Sequence, residues 1–318
     1  MTPSRRLVTI ALFTVSLTAL GPGLAAFGGS GHRIVGRLAE LHLRESRAMQ
    51  EVRTILRPGE TLADASVWPD TVKNPLYEDE DTPRFRLNHP GHDTYHYANV
   101  PFQADRYDLN APGARPTDIA QIAAESIRVL RGTSTMFTRR EALRMLAHLV
   151  GDIHQPLHAG NAFVSASEPL RFVVPEGPMG WRPTLGGNAL LYGPDNRFNL
   201  HSYWDVHAVN LAMRKEDVRA YSLRLHREMP ARDEWRNAGD AETWPVQWAT
   251  EALQEAKAAH KGIRIVGYLG PDDQKRTAHR WRIEQPPDYD ELARAMIPVQ
   301  LSKAGQRLAD TLKAIWPE

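Results

Sequence analysis

Residues 148–158 read His-Leu-Val-Gly-Asp-Ile-His-Gln-Pro-Leu-His. Residues 142–152 have helix-forming composition, and Pro156 predicts a helix end just before it. His148 and Asp152 are four residues apart, so a helix puts them on one face, about one turn from each other. An imidazole and a carboxylate at that spacing can hold one metal ion. His158 lies beyond the break, where the chain has turned, and is placed to serve a neighbouring ion.

The same spacing recurs downstream. Residues 199–208 read Asn-Leu-His-Ser-Tyr-Trp-Asp-Val-His-Ala, with His201 and Asp205 again four apart. His32, Asp70 and His96 complete a set of segments in which a His or Asp sits beside small or aromatic residues. Each taken alone has a plainer reading: a lone buried His is commonly a satisfied core residue, and an Asp after Trp-Pro can cap a helix. Two His-x-x-x-Asp pairs in one chain favour a metal-dependent hydrolase.

The rest of the chain sets the frame. Residues 1–26 have the form of a secretory signal peptide, with basic Arg5 and Arg6, an apolar run over 7–20 and a small-residue region over 21–26. The run is short for a membrane span, which needs roughly 20 residues. The expectation is export, by the Sec or the twin-arginine route, to a periplasm or the medium, with cleavage before Phe27 and no membrane attachment afterwards. Without Arg5 and Arg6, 37 basic residues face 38 acidic ones. Any polyanion must then be held by local features, not a global field. There is no cysteine, so no disulfide is available and a zinc site must use His, carboxylate or main-chain ligands.

Residues 27–318 read as one domain. Ile34, Leu38 and Leu41 form a helical stripe, as do Ile119, Ile122, Ala123, Ile127 and Leu130. Residues 244–258 and 289–315 are helical, the latter kinked or started near Pro298. Residues 74–93 read as a surface loop and 168–193 as an irregular hairpin. The fold class expected is all-α with a small β hairpin. His154 is expected at the surface or behind the ligands, and His42, His226, His260 and His279 in solvent.

Residues 148–158 resemble the pattern His-Phe-Ile-Gly-Asp-x-x-Gln-Pro-Leu-His of the zinc-dependent single-strand-specific nucleases, the S-one/P-one type, which share a helical fold with zinc phospholipases C. Residues 199–205 resemble its Asn-Leu-His-x-x-Trp-Asp, residues 67–70 its Trp-Ala-Asp, and Gly186-Gly187-Asn188 its Gly-Gly-Asn. The resemblance implies three zinc ions at the bottom of a cleft. Carried over by position, Asp70, His96, His148 and Asp152 hold the first. His158, His201 and Asp205 hold the second. His32, Asp152 as a bridge, and the amine and carbonyl of a mature first residue Phe27 hold the third. Water activated between the ions then attacks phosphorus, without a protein general base.

The resemblance further implies hydrolysis of single-stranded DNA and RNA to 5′-phosphorylated products, with 3′-nucleotidase activity and no stable protein partner. Alternatives are a zinc phospholipase C on the same scaffold and a non-catalytic zinc-binding protein. Phe27 stands where the family usually has Trp. Lys73 stands where an Arg is common; it can neutralise phosphate but lacks the two-pronged fork. His89 and His92 compete with His96, which the His-aromatic element favours. Tyr97 matches a base-stacking aromatic or packs in the core. Asn99 contacts a base edge and Asn188 the phosphate region, or both order loops. Residues 161–185 form an insert near the expected cleft rim.

Overall fold

The structure is a computed structural model describing residues 27–271 and 279–318; the expected leader, 1–26, lies outside the described residues. Helices α1 (Gly28–Leu43), α2 (Arg47–Ile55), α3 (Leu62–Ala65), α4 (Trp68–Thr71) and α5 (Thr82–Asn88) lead to α6 (Ile119–Arg131) and α7 (Arg139–Ile153). Then come α8 (Pro156–Ala159), α9 (Leu200–Ser202), α10 (Ala208–Met213), α11 (Val218–Glu228), α12 (Trp244–His260) and α13 (Tyr289–Ile315). The fold is mainly helical, as the periodicity predicts.

The helices start where the chain supplies caps. Asp118 accepts hydrogen bonds from the Ala120 and Gln121 amides at the head of α6, and Gly132 closes it in the left-handed region. At the head of α7, Thr138 and Glu141 form a reciprocal capping box. Helix α6 packs on α7, and α1 on α13. At the second crossing the backbones come very close. A Cβ built on Gly305 would stand 2.4 Å from Leu38 Cβ, so only glycine fits there.

Four sequence expectations change. Residues 168–193 do not form one hairpin. Strand β3 (Phe163–Ser165) is the centre of a three-stranded sheet, flanked by β4 (Phe172–Val173) and β5 (Trp181–Pro183). Strand β6 (Leu190–Tyr192) leaves to join β7 (Phe198–Asn199) and, in parallel, the distant β9 (Trp281–Glu284), with β8 (Arg264–Tyr268) at the edge. A separate parallel pair joins β1 (Val100–Pro101) to β2 (Gly160–Asn161).

Residues 74–93 hold α5 and a short 3-10 turn. The Asp79 carboxylate accepts from the Asp81 and Thr82 amides and the Thr82 hydroxyl, satisfying donors that open α5 leaves free. Helix α13 runs unbroken from Tyr289 through Pro298; burial of its long face outweighs the missing donor. His260 is buried rather than solvent-facing, and His154 is buried too, the inner of its two expected places. His260 stacks on Phe102 at 4.3 Å, and His154 lies against Arg307 Nη1 at 3.1 Å. Among the described residues no helix is long and apolar enough to cross a membrane.

Candidate metal centre

The central helix α7 carries His148 and Asp152 side by side and almost wholly buried. Asp152 Oδ2 stands 2.9 Å from His148 Nε2 and 3.2 Å from His96 Nδ1. Its other oxygen, Oδ1, stands 3.2 Å from His32 Nε2. One carboxylate thus faces imidazoles on two sides. Burial opposes its charge, but His148, His158 and His32 more than offset that and hold its carboxyl well below the usual range.

The glycine in this stretch has a steric cause. His32, from the second turn of α1, lies across α7, with its ring stacked on His148 at 3.8 Å. A Cβ built on Gly151 would stand 2.9 Å from His32 Nδ1. Glycine at 151 is what lets α1 and α7 bring His32 onto Asp152.

Asp70 comes from the single turn of α4. Its Oδ1 stands 3.6 Å from His96 Nδ1 and 3.7 Å from His148 Nε2, and it accepts from Lys73 Nζ at 2.7 Å. Burial pushes the Asp70 carboxyl up, while His148, Lys73 and His96 pull it down to about 2. His96 goes the other way: burial first, then Lys73, push it down to about 3, so it is neutral with a lone pair to give.

The second His-x-x-x-Asp pair departs from regular helix. His201 sits in α9, but Asp205 lies in a π-helical turn, Tyr203–His207. Such turns are rare and concentrate at functional sites. The pair still meets, with His201 Nε2 at 3.2 Å from Asp205 Oδ2 and His158 Nε2 at 3.8 Å from Asp205 Oδ1. Burial works against a proton on His158, but Asp152 and Asp205 outweigh it and push its pKa up to about 9.

Main-chain carbonyls orient three of the rings. Nδ1 of His148 is 2.7 Å from the Ser66 carbonyl, that of His158 2.6 Å from His96, and that of His201 2.8 Å from Gly186. A carbonyl only accepts, so each Nδ1 carries a hydrogen and each Nε2 is the atom turned toward the centre. Gly186 holds its carbonyl there with φ +61, a left-handed conformation suited to glycine.

Three groups of donor atoms converge within 4.8 Å: His32, Asp70 and His148; His96, His148 and Asp152; His158, His201 and Asp205. Among the described residues, Asp70 Oδ2, Asp152 Oδ1, His158 Nε2 and Asp205 Oδ2 are buried without a hydrogen-bond partner. Buried carboxylates left this way are strongly unfavourable unless a cation compensates them. The all-nitrogen and oxygen donor set fits zinc or another divalent ion of similar preference.

Phe27 lies beside the third group. Its nitrogen is 3.1 Å from Asp205 Oδ1, its side chain is fully buried, and its carbonyl accepts from the Gly31 amide. Tyr97 and Asn99 follow His96 and are half-buried. Asn188 donates to the Leu185 carbonyl at 2.9 Å, while its Oδ1 is buried without a partner among the described residues. His89 and His92, the rivals of His96, pack instead with Phe85, at 4.9 and 5.4 Å.

Sequence reasoning assigned no role to Gln155. It is buried, and its Nε2 donates to Asp205 Oδ1 at 2.6 Å, fixing a carboxylate that comes from a remote segment. Its position before Pro156, heading the short α8, was the available signal. Ser66 was also missed; its hydroxyl donates to the His32 carbonyl at 2.9 Å and its own carbonyl orients His148.

The sequence pattern described as S1/P1 Nuclease matches residues 27–317. The chain belongs to the S1/P1 nuclease family. Among curated relatives it is similar to Endonuclease 2 of Arabidopsis thaliana, at 24% identity over 97% of both chains. It is also similar to Endonuclease 4 of the same plant, at 25% identity over 94% of this chain and 92% of the relative. Endonuclease 5 is 28% identical over 62% of this chain and 61% of its own length. S1/P1 nucleases are metal-dependent hydrolases of phosphodiester bonds, and the three convergent His/Asp groups here could hold metal ions.

Proposed function

We propose that the chain is an exported zinc nuclease that cuts single-stranded DNA and RNA to 5′-phosphorylated products and also removes 3′-phosphates from nucleotides. The observation that carries this is the buried centre, in which carboxylate oxygens without hydrogen-bond partners and imidazole rings converge from five segments. Asp70, His96, His148 and Asp152 would hold one zinc; His158, His201 and Asp205 a second; His32, Asp152 and Phe27 a third. Bound zinc supplies Lewis acidity and activates water near neutral pH.

The chain's own residues bind and orient the strand. Lys73, at the half-exposed edge of Asp70, places a positive charge beside the phosphate. The half-buried Tyr97 offers a ring for an unpaired base, with Asn99 close behind it. A duplex keeps its bases stacked inside, so a site that works by stacking favours single strands. The partners are single-stranded DNA and RNA and 3′-nucleotides.

The test is a metal count on the protein starting at Phe27, run beside digestion of single-stranded DNA, duplex DNA and phosphatidylcholine. Three zincs with preferential single-strand cleavage are expected. Turnover of phosphatidylcholine alone would make it a phospholipase C, and zinc without any turnover a binding protein.

A further expectation separates the ions. His201→Ala and Asp205→Ala each remove a ligand of the same group, so each should lower zinc content and turnover similarly. The double variant should be little worse than either single one, because groups acting as a unit are not additive. Log-additive losses would mean that the two residues serve different sites.

A further inference from the structure

A pocket of about 300 Å³ opens between the β3–β5 sheet and the edge of the β8–β9 ladder. It is lined by Ser165, Glu168, Arg182, Tyr268, His279 and Trp281 among others, none of which belongs to the metal centre. Tyr268 is 51% exposed. Its ring is the outermost of a tier with His279 at 5.8 Å and Trp281 at 6.2 Å. Residues 161–185, the insert noted in the sequence, build one wall.

The hydrogen bonds in this pocket run in one direction. Arg182 Nε is 2.9 Å from His279 Nε2, and a guanidinium only donates, so His279 accepts there. His279 Nδ1 is 2.9 Å from the Tyr268 oxygen. With Nε2 accepting, the neutral ring carries its hydrogen on Nδ1 and donates it to that oxygen. Burial, then Arg182, lowers the His279 pKa and keeps the ring neutral. The Tyr268 hydroxyl hydrogen is thereby free to point outward. Arg182 Nη1 donates to the Trp181 carbonyl at 2.9 Å, and Nη2 has no hydrogen-bond partner among the described residues.

The pocket thus offers an exposed, locked aromatic face, an outward hydroxyl donor and a fixed guanidinium, with the Glu168 carboxylate on its rim as an acceptor. A flat ring bearing both acceptor oxygens and an amine, joined to an anionic backbone, matches all four. We infer that this pocket is a second subsite, which binds one nucleotide of a single strand whose scissile bond lies at the metal centre. The base stacks on Tyr268, and a base or phosphate oxygen meets the Tyr268 hydroxyl and Arg182. Ser165 is seven residues beyond His158 along the chain, so the two sites lie within roughly 25 Å, which a strand of a few nucleotides spans. The inference rests on the nuclease reading and deepens it.

The test compares a dinucleotide with a 12-residue oligodeoxycytidylate as substrates, and measures binding of a cleavage-resistant phosphorothioate 12-mer of the same sequence to the zinc-loaded protein. Aromatic stacking of one base is worth ~1–3 kcal/mol. Tyr268→Ala should therefore raise KM for the 12-mer and Kd for the phosphorothioate by roughly 5- to 20-fold, at the lower to middle part of that range. Dinucleotide turnover and the melting temperature should not change. Tyr268→Phe keeps the ring and loses the hydroxyl, and should fall between. Unchanged KM and Kd in Tyr268→Ala, with the unaltered protein active, would overturn the subsite. Inactivity of the unaltered protein on both substrates would instead overturn the nuclease reading, and the binding arm would still decide the subsite.

Discussion

Asp152→Asn is expected to abolish nearly all turnover on single-stranded DNA while leaving the helical circular-dichroism spectrum intact. Asp152 is the one carboxylate with an oxygen toward His32 and the other toward His96 and His148. An amide of the same shape fills the space but carries no charge and offers one acceptor where two are used. Metal-ion catalysis stabilises the transition state by several kcal/mol, and each ~1.4 kcal/mol is tenfold, so the loss should be on the order of 10³-fold. Zinc content measured on the variant should drop by at least one ion. Three bound zincs with near-normal turnover would show that Asp152 does not bridge.

The second large effect concerns Phe27 and the residue joined to its nitrogen. The Phe27 nitrogen lies 3.1 Å from Asp205 Oδ1, inside the buried centre rather than on a loose tail. As a free amine, with a pKa near 7.7–8.0, it can exchange its proton for a metal at neutral pH. Joined to Ala26 it is an amide, whose lone pair is delocalised into the carbonyl and is not available. Protein beginning at Phe27 should bind three zincs. Protein with one extra residue should bind fewer and cut single-stranded DNA far more slowly. Leader cleavage would then act as the activating step, and the unprocessed chain would stay weak beside cytoplasmic nucleic acid. Equal zinc content and equal rates for the two forms would rule this out and leave His32 without that neighbour.

Local rules made the central helix readable. Pro156 marks the end of α7, and 3.6-residue spacing puts His148 and Asp152 on one face, while the start expected at 142 falls three residues inside the helix that the Thr138–Glu141 capping box opens. The same rule placed His201 near Asp205, yet could not reveal the π turn, because an extra residue in a turn leaves no composition signal. The sheets were less legible for a different reason. Strand β6 pairs with β9, about ninety residues later, and so long-range a pairing is set by tertiary packing. His260 was misplaced because it closes a helix rich in charged residues, and for His154 the sequence left both the surface and a buried place open. In the fold, Arg307 and Phe102 cover them. Gln155 had no role on sequence grounds, and only the arrival of Asp205 from fifty residues away gives it a task.

The centre collects residues 27–32, 70, 96, 148–158 and 201–205, stretches separated by tens of residues. In a chain without cysteine, an ion held there acts as a covalent cross-link would, removing loop-closure entropy from the unfolded chain. Such a molecule would need no oxidising compartment to be stapled, only a supply of metal. Its durability and its power to cut phosphodiesters would then depend on the same few atoms, and a chelator would take both away together.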